Sequence, residues 1–268
     1  MRRALLRRAL LVVPLLAFPA LSAWGQNFAG RASVGTDYKI RKGLHLTVEE
    51  ELRMDGVFKS LDRLQTTIGL EYKVSPYVKL GAGYVLINPY SAGNLYFKEP
   101  RHRFYVDGMV HYNLNGFNFS LKERVQYTHR TGDFNVYQNT RNLVALKTRL
   151  GVSYKGWTYF EPGVFFEVRT QLNAPWGSTS GSLQTKSDGT TYYAYTPAGY
   201  THTYNDRYRG IIRTDIKLGK HHVLRPYVLL DYISEYEIDT NSEGTRLFSA
   251  AYNNYFKVTP GIGYTFKF

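Results

Sequence analysis

The chain has 268 residues, with 34 Lys+Arg against 21 Asp+Glu, a formal net charge of +13 and no cysteine. The missing cysteines exclude a disulfide framework and thiol chemistry, and past residue 25 no run reaches the roughly 18 apolar residues of a spanning helix. What remains is a basic, aromatic-rich chain with 24 Tyr, 15 Phe and 24 Gly, of a length that suits one domain.

The first element is an export signal. "MRRALLRR" is its positive start, Ala9 to Leu21 its short apolar stretch, and Ala23-Trp24-Gly25 places small residues where a signal peptidase reads them. Cleavage is expected after Gly25, leaving residues 26–268 as the mature domain. That removes four arginines and no acid, so the mature chain stays basic at +9. Export argues against nucleic acid as the partner of this charge, leaving a membrane surface or anionic solutes.

From residue 28 onwards the pattern has period two. In "LHLTVEEELRM", Leu44, Leu46, Val48, Leu52 and Met54 share one face, and His45, Thr47, Glu49, Glu51 and Arg53 the other. The same alternation predicts strands at about 28–40, 44–55, 61–74, 77–88, 101–114, 117–130, 143–155, 157–170, 206–219, 222–236 and 253–268. Most are 11 to 16 residues long, whereas soluble strands average about five or six and a tilted membrane strand needs roughly 9–11.

Connections alternate as well. Tight turns at 41–43, 75–76, 115–116, 155–156 and 220–222 separate longer links at 56–60, 89–100, 131–142, 171–205 and 237–252. Short turns on one rim and long loops on the other are the outer-membrane pattern. The expected fold is therefore all-β: a transmembrane antiparallel barrel of ten to twelve strands, with short periplasmic turns and long extracellular loops. Eleven visible strands conflict with an even number. Either 28–40 lies partly inside the barrel, giving ten wall strands, or one strand is hidden, giving twelve; twelve is preferred. Outward Tyr and Phe near both strand ends predict two interfacial belts.

The face opposite the apolar one is crowded with charge, nineteen basic residues against ten acidic by strict alternation. Opposed residues of a tight hairpin have a constant index sum. This predicts the lumen pairs Asp107 with Arg124, Arg209 with Asp231, and Asp215 with Arg225, and places Glu51 near Arg63. Two functional readings follow: a packed polar core, or a pore favouring small anionic solutes. Glu50 and Glu123 fall on the lipid phase, through a β-bulge, as neutral acids, or as a subunit or lipid contact.

Catalytic motifs are weak. No G-x-S-x-G or H-E-x-x-H occurs, and His221-His222 in a turn lacks companion ligands. His45 with Glu49 and Glu51 offers at most a His–carboxylate dyad. Neither a metal nor a cofactor is expected. A barrel enzyme acting on lipid is the least favoured function.

"LHLTVEEELRM", "IGLEYKVSPYVKLGAGY", "RHRFYVDG" and the closing "GIGYTFKF" resemble an uncharacterised family of outer-membrane barrels known only as a domain of unknown function. A fainter similarity, of architecture and basic lumen, is to small twelve-stranded porins for acidic sugars. The resemblance implies location in the Gram-negative outer membrane. It also implies that Tyr264, Phe266 and Phe268 form the assembly signal read by the barrel-assembly machinery. It brings no catalytic residues. The segment 171–205 exceeds the family's usual loop, so the alternative to a channel is a non-conducting barrel that presents this loop to a partner.

Overall fold

The computed structural model describes residues 27–56 and 58–268; the export signal placed at 1–25 lies outside the described residues. Twelve strands form: β1 (Asn27–Arg41), β2 (Leu44–Asp55), β3 (Ser60–Lys73), β4 (Val78–Ser91), β5 (Tyr96–Phe97), β6 (Arg101–Leu114), β7 (Phe117–Arg130), β8 (Asn142–Tyr154), β9 (Phe160–Thr185), β10 (Thr191–Lys217), β11 (His222–Thr240) and β12 (Arg246–Lys267). Eleven of them close into a barrel, and the two-residue β5 lies outside the ring, paired only to β4.

Closure explains the odd count. Neighbours in an antiparallel ring alternate in direction, so a ring of eleven needs one parallel pair. That pair is β1 with β12, in the register Ala32↔Ile262, Val34↔Tyr264 and Asp37↔Lys267. The wall is antiparallel everywhere else. β1 is a full wall strand; among the described residues the wall has eleven strands, within the expected ten to twelve, and β5 outside it brings the total to twelve, so the wall itself keeps an odd count.

The burial pattern is inverted relative to a water-soluble sheet. Along β7, Phe117, Phe119, Leu121, Val125 and Tyr127 are exposed, while Asn118, Gln126 and Thr128 are buried. Val34, Leu80, Val106, Leu150, Val164 and Ile212 are exposed in the same way on other strands. Exposed rings cluster at the short-turn rim (Tyr38, Tyr72, Tyr112, Phe117, Phe268) and at the long-loop rim (Phe104, Tyr127, Phe166, Tyr208, Phe256).

The tight turns form as their residues dictate. Asn115 and Gly116 both take positive φ, 48° and 84°, the type I′ geometry that suits a twisted hairpin. The long links are shorter than expected. Residues 171–205 are not a loop: β9 and β10 continue as a ribbon well past the wall, joined by the turn at Lys186–Thr190. There Asp188 Oδ1 accepts from the Thr190 amide at 2.8 Å, and Gly189 has φ 84°. β11 and β12 likewise continue to a turn at Asn241–Thr245. Five register shifts bend β10 between Tyr192 and Arg207, the usual effect of bulges. The ribbon then meets β12 at Tyr193↔Leu247 and Ala194↔Arg246.

Candidate functional site

The buried face of the wall carries the charge. Its register reads in oblique rows around the ring. One row runs Lys122, Arg149, Glu167, Arg209, Asp231, Lys257 across β7 to β12. The row beside it runs Asp107, Arg124, Lys147, Arg169, Arg207 across β6 to β10. From Arg149 to Lys257 the first alternates in sign, with Lys122 adding a second cation at its start, while the second places four cations side by side. Like charges directly opposite destabilise a sheet unless counter-charges lie near.

Acids within the rows and beside them supply those counter-charges. Asp107 accepts from Arg124 Nε at 2.9 Å and Nη2 at 2.6 Å, and Lys122 Nζ lies 3.1 Å away. Glu167, its side chain 3 % exposed, is shared by Arg149, Arg209 at 3.5 Å and Lys147 at 3.8 Å. Asp231 accepts from Arg209 Nε at 2.6 Å. Asp215 accepts from Arg225 Nε at 2.6 Å and Nη2 at 2.8 Å. Such forked pairs combine charge with fixed geometry. Three of the four hairpin pairs read from the sequence are thus in contact.

The fourth, Glu51 with Arg63, is not formed. In the β2–β3 ladder Glu51 stands opposite Gln65, and Arg63 opposite Arg53. Glu51 pairs with Arg53 and approaches Arg31 at 3.8 Å. Arg63 instead donates to Asp62 at 2.7 Å. The ladder skips Asp62, since Arg53 faces Arg63 and Met54 faces Leu61, so Asp62 is a bulge residue and its carboxylate comes within reach of its neighbour. Asp206 repeats the device. The β9–β10 register shifts between Asn205 and Arg207, and the fully buried Asp206 accepts from Arg169 Nε and Gln171 Nε2, each at 2.6 Å. Strict alternation sends both Asp62 and Asp206 outward and hides them; a register shift turns each inward beside an arginine.

The remaining candidates are placed as follows. His45 Nδ1 contacts Asp37 Oδ1 at 2.8 Å rather than Glu49 or Glu51. No group of three His, Cys, Asp or Glu among the described residues is arranged to hold a metal ion. His222 Nδ1 meets Tyr264 OH at 2.6 Å. The Phe268 ring lies 4.6 Å from Phe266 and 6.0 Å from Tyr38, at the parallel seam. Glu50 and Glu123 stay on the exposed face with no bulge beside them. Each accepts from the threonine directly opposite, Thr66 at 2.6 Å and Thr148 at 2.9 Å.

The long-loop rim is partly roofed. The segment 131–141 crosses to the β11–β12 turn, where Asn135 Nδ2 donates to Asn241 O at 3.0 Å and Gln138 Nε2 to Thr240 O at 3.0 Å. Tyr200 OH on the ribbon donates to Val136 O at 3.1 Å. Beneath it is a cavity of about 720 Å³, with Arg101 and Arg130 among its lining and Glu235, Glu237 and Asp239 elsewhere on its wall. Beside it, His202 stacks on Trp176 at 4.7 Å and on Tyr204 at 5.1 Å, and contacts Tyr252 OH at 3.1 Å. Burial holds His202 below the usual imidazole range. This aromatic group joins the ribbon to β11 and β12, and nothing in the period-two pattern marks it.

No curated protein matches the chain significantly. A family match spans residues 32–198, covering most of β1, all of β2 to β9 and the start of β10. The match takes in most of the barrel wall, and the chain belongs to the family described as "Protein of unknown function (DUF2490)".

Proposed function

We propose that this barrel lies in the outer membrane and acts as a narrow channel with a charged, net basic lumen and a preference for small anions. The observation that carries the reading is the inverted burial pattern: apolar side chains on the exposed face and charged rows on the buried one. An exposed apolar surface of this extent needs lipid or a partner, and a closed ring leaves no unpaired edge within it. The four adjacent cations Arg124, Lys147, Arg169 and Arg207 support anion preference. In this reading the tight turns face the periplasm, Tyr264, Phe266 and Phe268 serve assembly, and the export signal delivers the chain.

The test is a planar bilayer measurement on refolded protein in a potassium chloride gradient. Single-channel steps with a reversal potential on the chloride side support the channel. Current at no voltage removes it, and cation selectivity removes the anion preference.

A second reading has its own support. The bent β9–β10 ribbon, the roofing segment 131–141 and the aromatic group at His202 build a structured surface on the long-loop rim. A non-conducting barrel that presents this surface to an external partner accounts for them. Silent bilayers together with specific cell-surface binding that is lost on trimming residues 178–198 favour it.

A further inference from the structure

At the long-loop end of the inner face the bulged acids no longer balance the arginines. Arg101 stands directly opposite Arg130 in the β6–β7 ladder. Two residues along the same face, Arg103 stands opposite Thr128, and its Nε donates to Thr128 Oγ1 at 3.0 Å. Neither Arg101 nor Arg103 has an ion-pair partner among the described residues. The charges that act most strongly on Arg103 are all positive: Arg53, Arg169, Arg63 and Arg101. The nearby acids are committed elsewhere, Glu51 to Arg53, Asp62 to Arg63 and Asp206 to Arg169. Arg130 likewise has no ion-pair partner among the described residues; its Nη1 donates to Asn139 Oδ1 at 2.9 Å.

The neutral groups here are short of acceptors too. Gln65 is 5 % exposed, and its Nε2 is buried without a protein acceptor. It shares a ladder row with Ile87, Arg101 and Arg130. Arg130 Nε is likewise buried without a protein acceptor. Strands lie about 4.8 Å apart and same-face neighbours about 7 Å along a strand, so these long side chains reach a common volume. Arg101 and Arg130 open onto the 720 Å³ cavity, which gives that volume an approach from the rim. An unpaired buried donor is destabilising, and guanidinium forks are matched to planar oxyanions.

We propose that Arg101, Arg103, Arg130 and Gln65 form a binding site for a compact polyanion, a small solute with two or more carboxylate or phosphate groups. The site deepens the anion-channel reading and relies on it only for the route by which the solute arrives. Bound there, the anion gives the arginine forks and Gln65 Nε2 the acceptors they lack, and removes the repulsion between Arg101 and Arg130. Arg103 is the central residue, because it has no ion-pair partner among the described residues and its ladder neighbours Val85 and Thr128 carry no charge.

The test uses the whole mature barrel refolded in detergent, with sodium citrate and sodium pyrophosphate as probes. Each is titrated at constant ionic strength set by sodium chloride, which removes general screening. The readouts are the thermal midpoint by circular dichroism and heat-modifiable migration as a check of folding. Either probe at millimolar concentration raises the midpoint by several degrees. Arg101→Gln and Arg103→Gln weaken that response at least tenfold, while Lys73→Gln at the opposite rim leaves it intact. If Arg103→Gln does not fold, Arg103→Lys replaces it, with the charge kept, the fork lost and a several-fold weaker response expected. A response to citrate alone assigns carboxylates, to pyrophosphate alone phosphates, and to both a site that reads charge. No response beyond matched sodium chloride overturns the site, as does a response that both arginine variants retain. Binding in a barrel that carries no current leaves the site standing and removes the channel, and anion-selective current without binding does the reverse.

Discussion

Asp206 closes on Arg169 across the β9–β10 ladder, with Arg169 Nε 2.6 Å from Asp206 Oδ1, although its sequence neighbour Arg207 is the residue that faces Arg169 in register. One bulge therefore puts an acid and an arginine, adjacent in the chain, on the same buried face. The acid is the nearest counter-charge at the end of the row Arg124, Lys147, Arg169, Arg207. Asp206→Asn leaves Arg169 buried without its partner, and breaking a buried pair from one side costs roughly 3–5 kcal/mol. Urea unfolding of the refolded barrel is expected to show a loss of that size, and no comparable loss for the exposed Asp188→Asn. Equal midpoints for the two variants would show that the bulged acid does not hold the row together.

The parallel seam makes a geometric prediction that a cysteine-free chain tests cleanly. Ala32 is the register partner of Ile262, and paired strands lie about 4.8 Å apart, inside the range a disulfide spans. Ala32→Cys with Ile262→Cys is expected to cross-link on mild oxidation and to shift the unfolded band on a gel. Ala32→Cys with Tyr264→Cys is one same-face step out of register, about 8 Å by strand geometry, and is expected to stay reduced. The reverse outcome would mean that the ring closes differently.

Much of this architecture is legible in the sequence, and the failures have common causes. β7 alternates clearly, because its outer face is apolar except at Glu123 and His129, so both its position and its facing are readable. Asp107 with Arg124, Arg209 with Asp231 and Asp215 with Arg225 are readable because tight turns set their registers. Glu51 with Arg63 fails because β2 and β3 join through a longer link and the bulge at Asp62 shifts the count. The ribbon beyond residue 171 escapes notice for another reason. Where neither face meets an apolar surface, the chain has no cause to alternate, and "SLQTKSDGTTYYAYT" shows only its turn. The parallel closure is invisible because alternation locates a strand but says nothing of which neighbour completes the ring.

Glu50 and Glu123 test whether the outer face meets lipid. Each lies among exposed apolar side chains and keeps one hydrogen bond to a facing threonine. In a bilayer a carboxylate on this face is costly, by less than the roughly 2–4 kcal/mol of a lysine or arginine at the midplane. Glu123→Gln keeps an acceptor for Thr148 and removes the charge. It is expected to stabilise the barrel in phospholipid vesicles and to change little in a soluble polar environment. Destabilisation in vesicles would argue that the carboxylate serves a contact rather than facing acyl chains.

The group around His202 should loosen in acid. Burial lowers its pKa below the ordinary value near 6.5, so between the two values the unfolded chain binds more protons than the folded one. Stability of this region then rises with pH. It is fully present above about pH 6.5 and falls as the pH drops through the lowered value. The aromatic groups facing it, Tyr204, Tyr236 and Tyr252, do not titrate in that range. In a Trp157→Phe background, Trp176 fluorescence should red-shift between pH 7 and pH 5. His202→Phe should abolish the shift, and a transition that survives it would assign the change to another group.

Segment 131–141 is tied to the β11–β12 turn by the side chains of Asn135 and Gln138. Asn135 Nδ2 reaches Thr240 O, Thr240 Oγ1 and Asn241 O at 3.0–3.2 Å, and Gln138 Nε2 reaches Asp239 and Thr240 at 3.0 Å. A hydrogen bond of this kind contributes about 1 kcal/mol net, so Asn135→Ala with Gln138→Ala removes most of what fixes the segment to β11–β12. The wall is untouched, so global unfolding should move by little. If the segment narrows a conducting path, the double variant raises single-channel conductance severalfold and shortens closed times. Unchanged conductance in a barrel that does carry current would place the constriction deeper, among the charged rows, and leave segment 131–141 as part of the external surface.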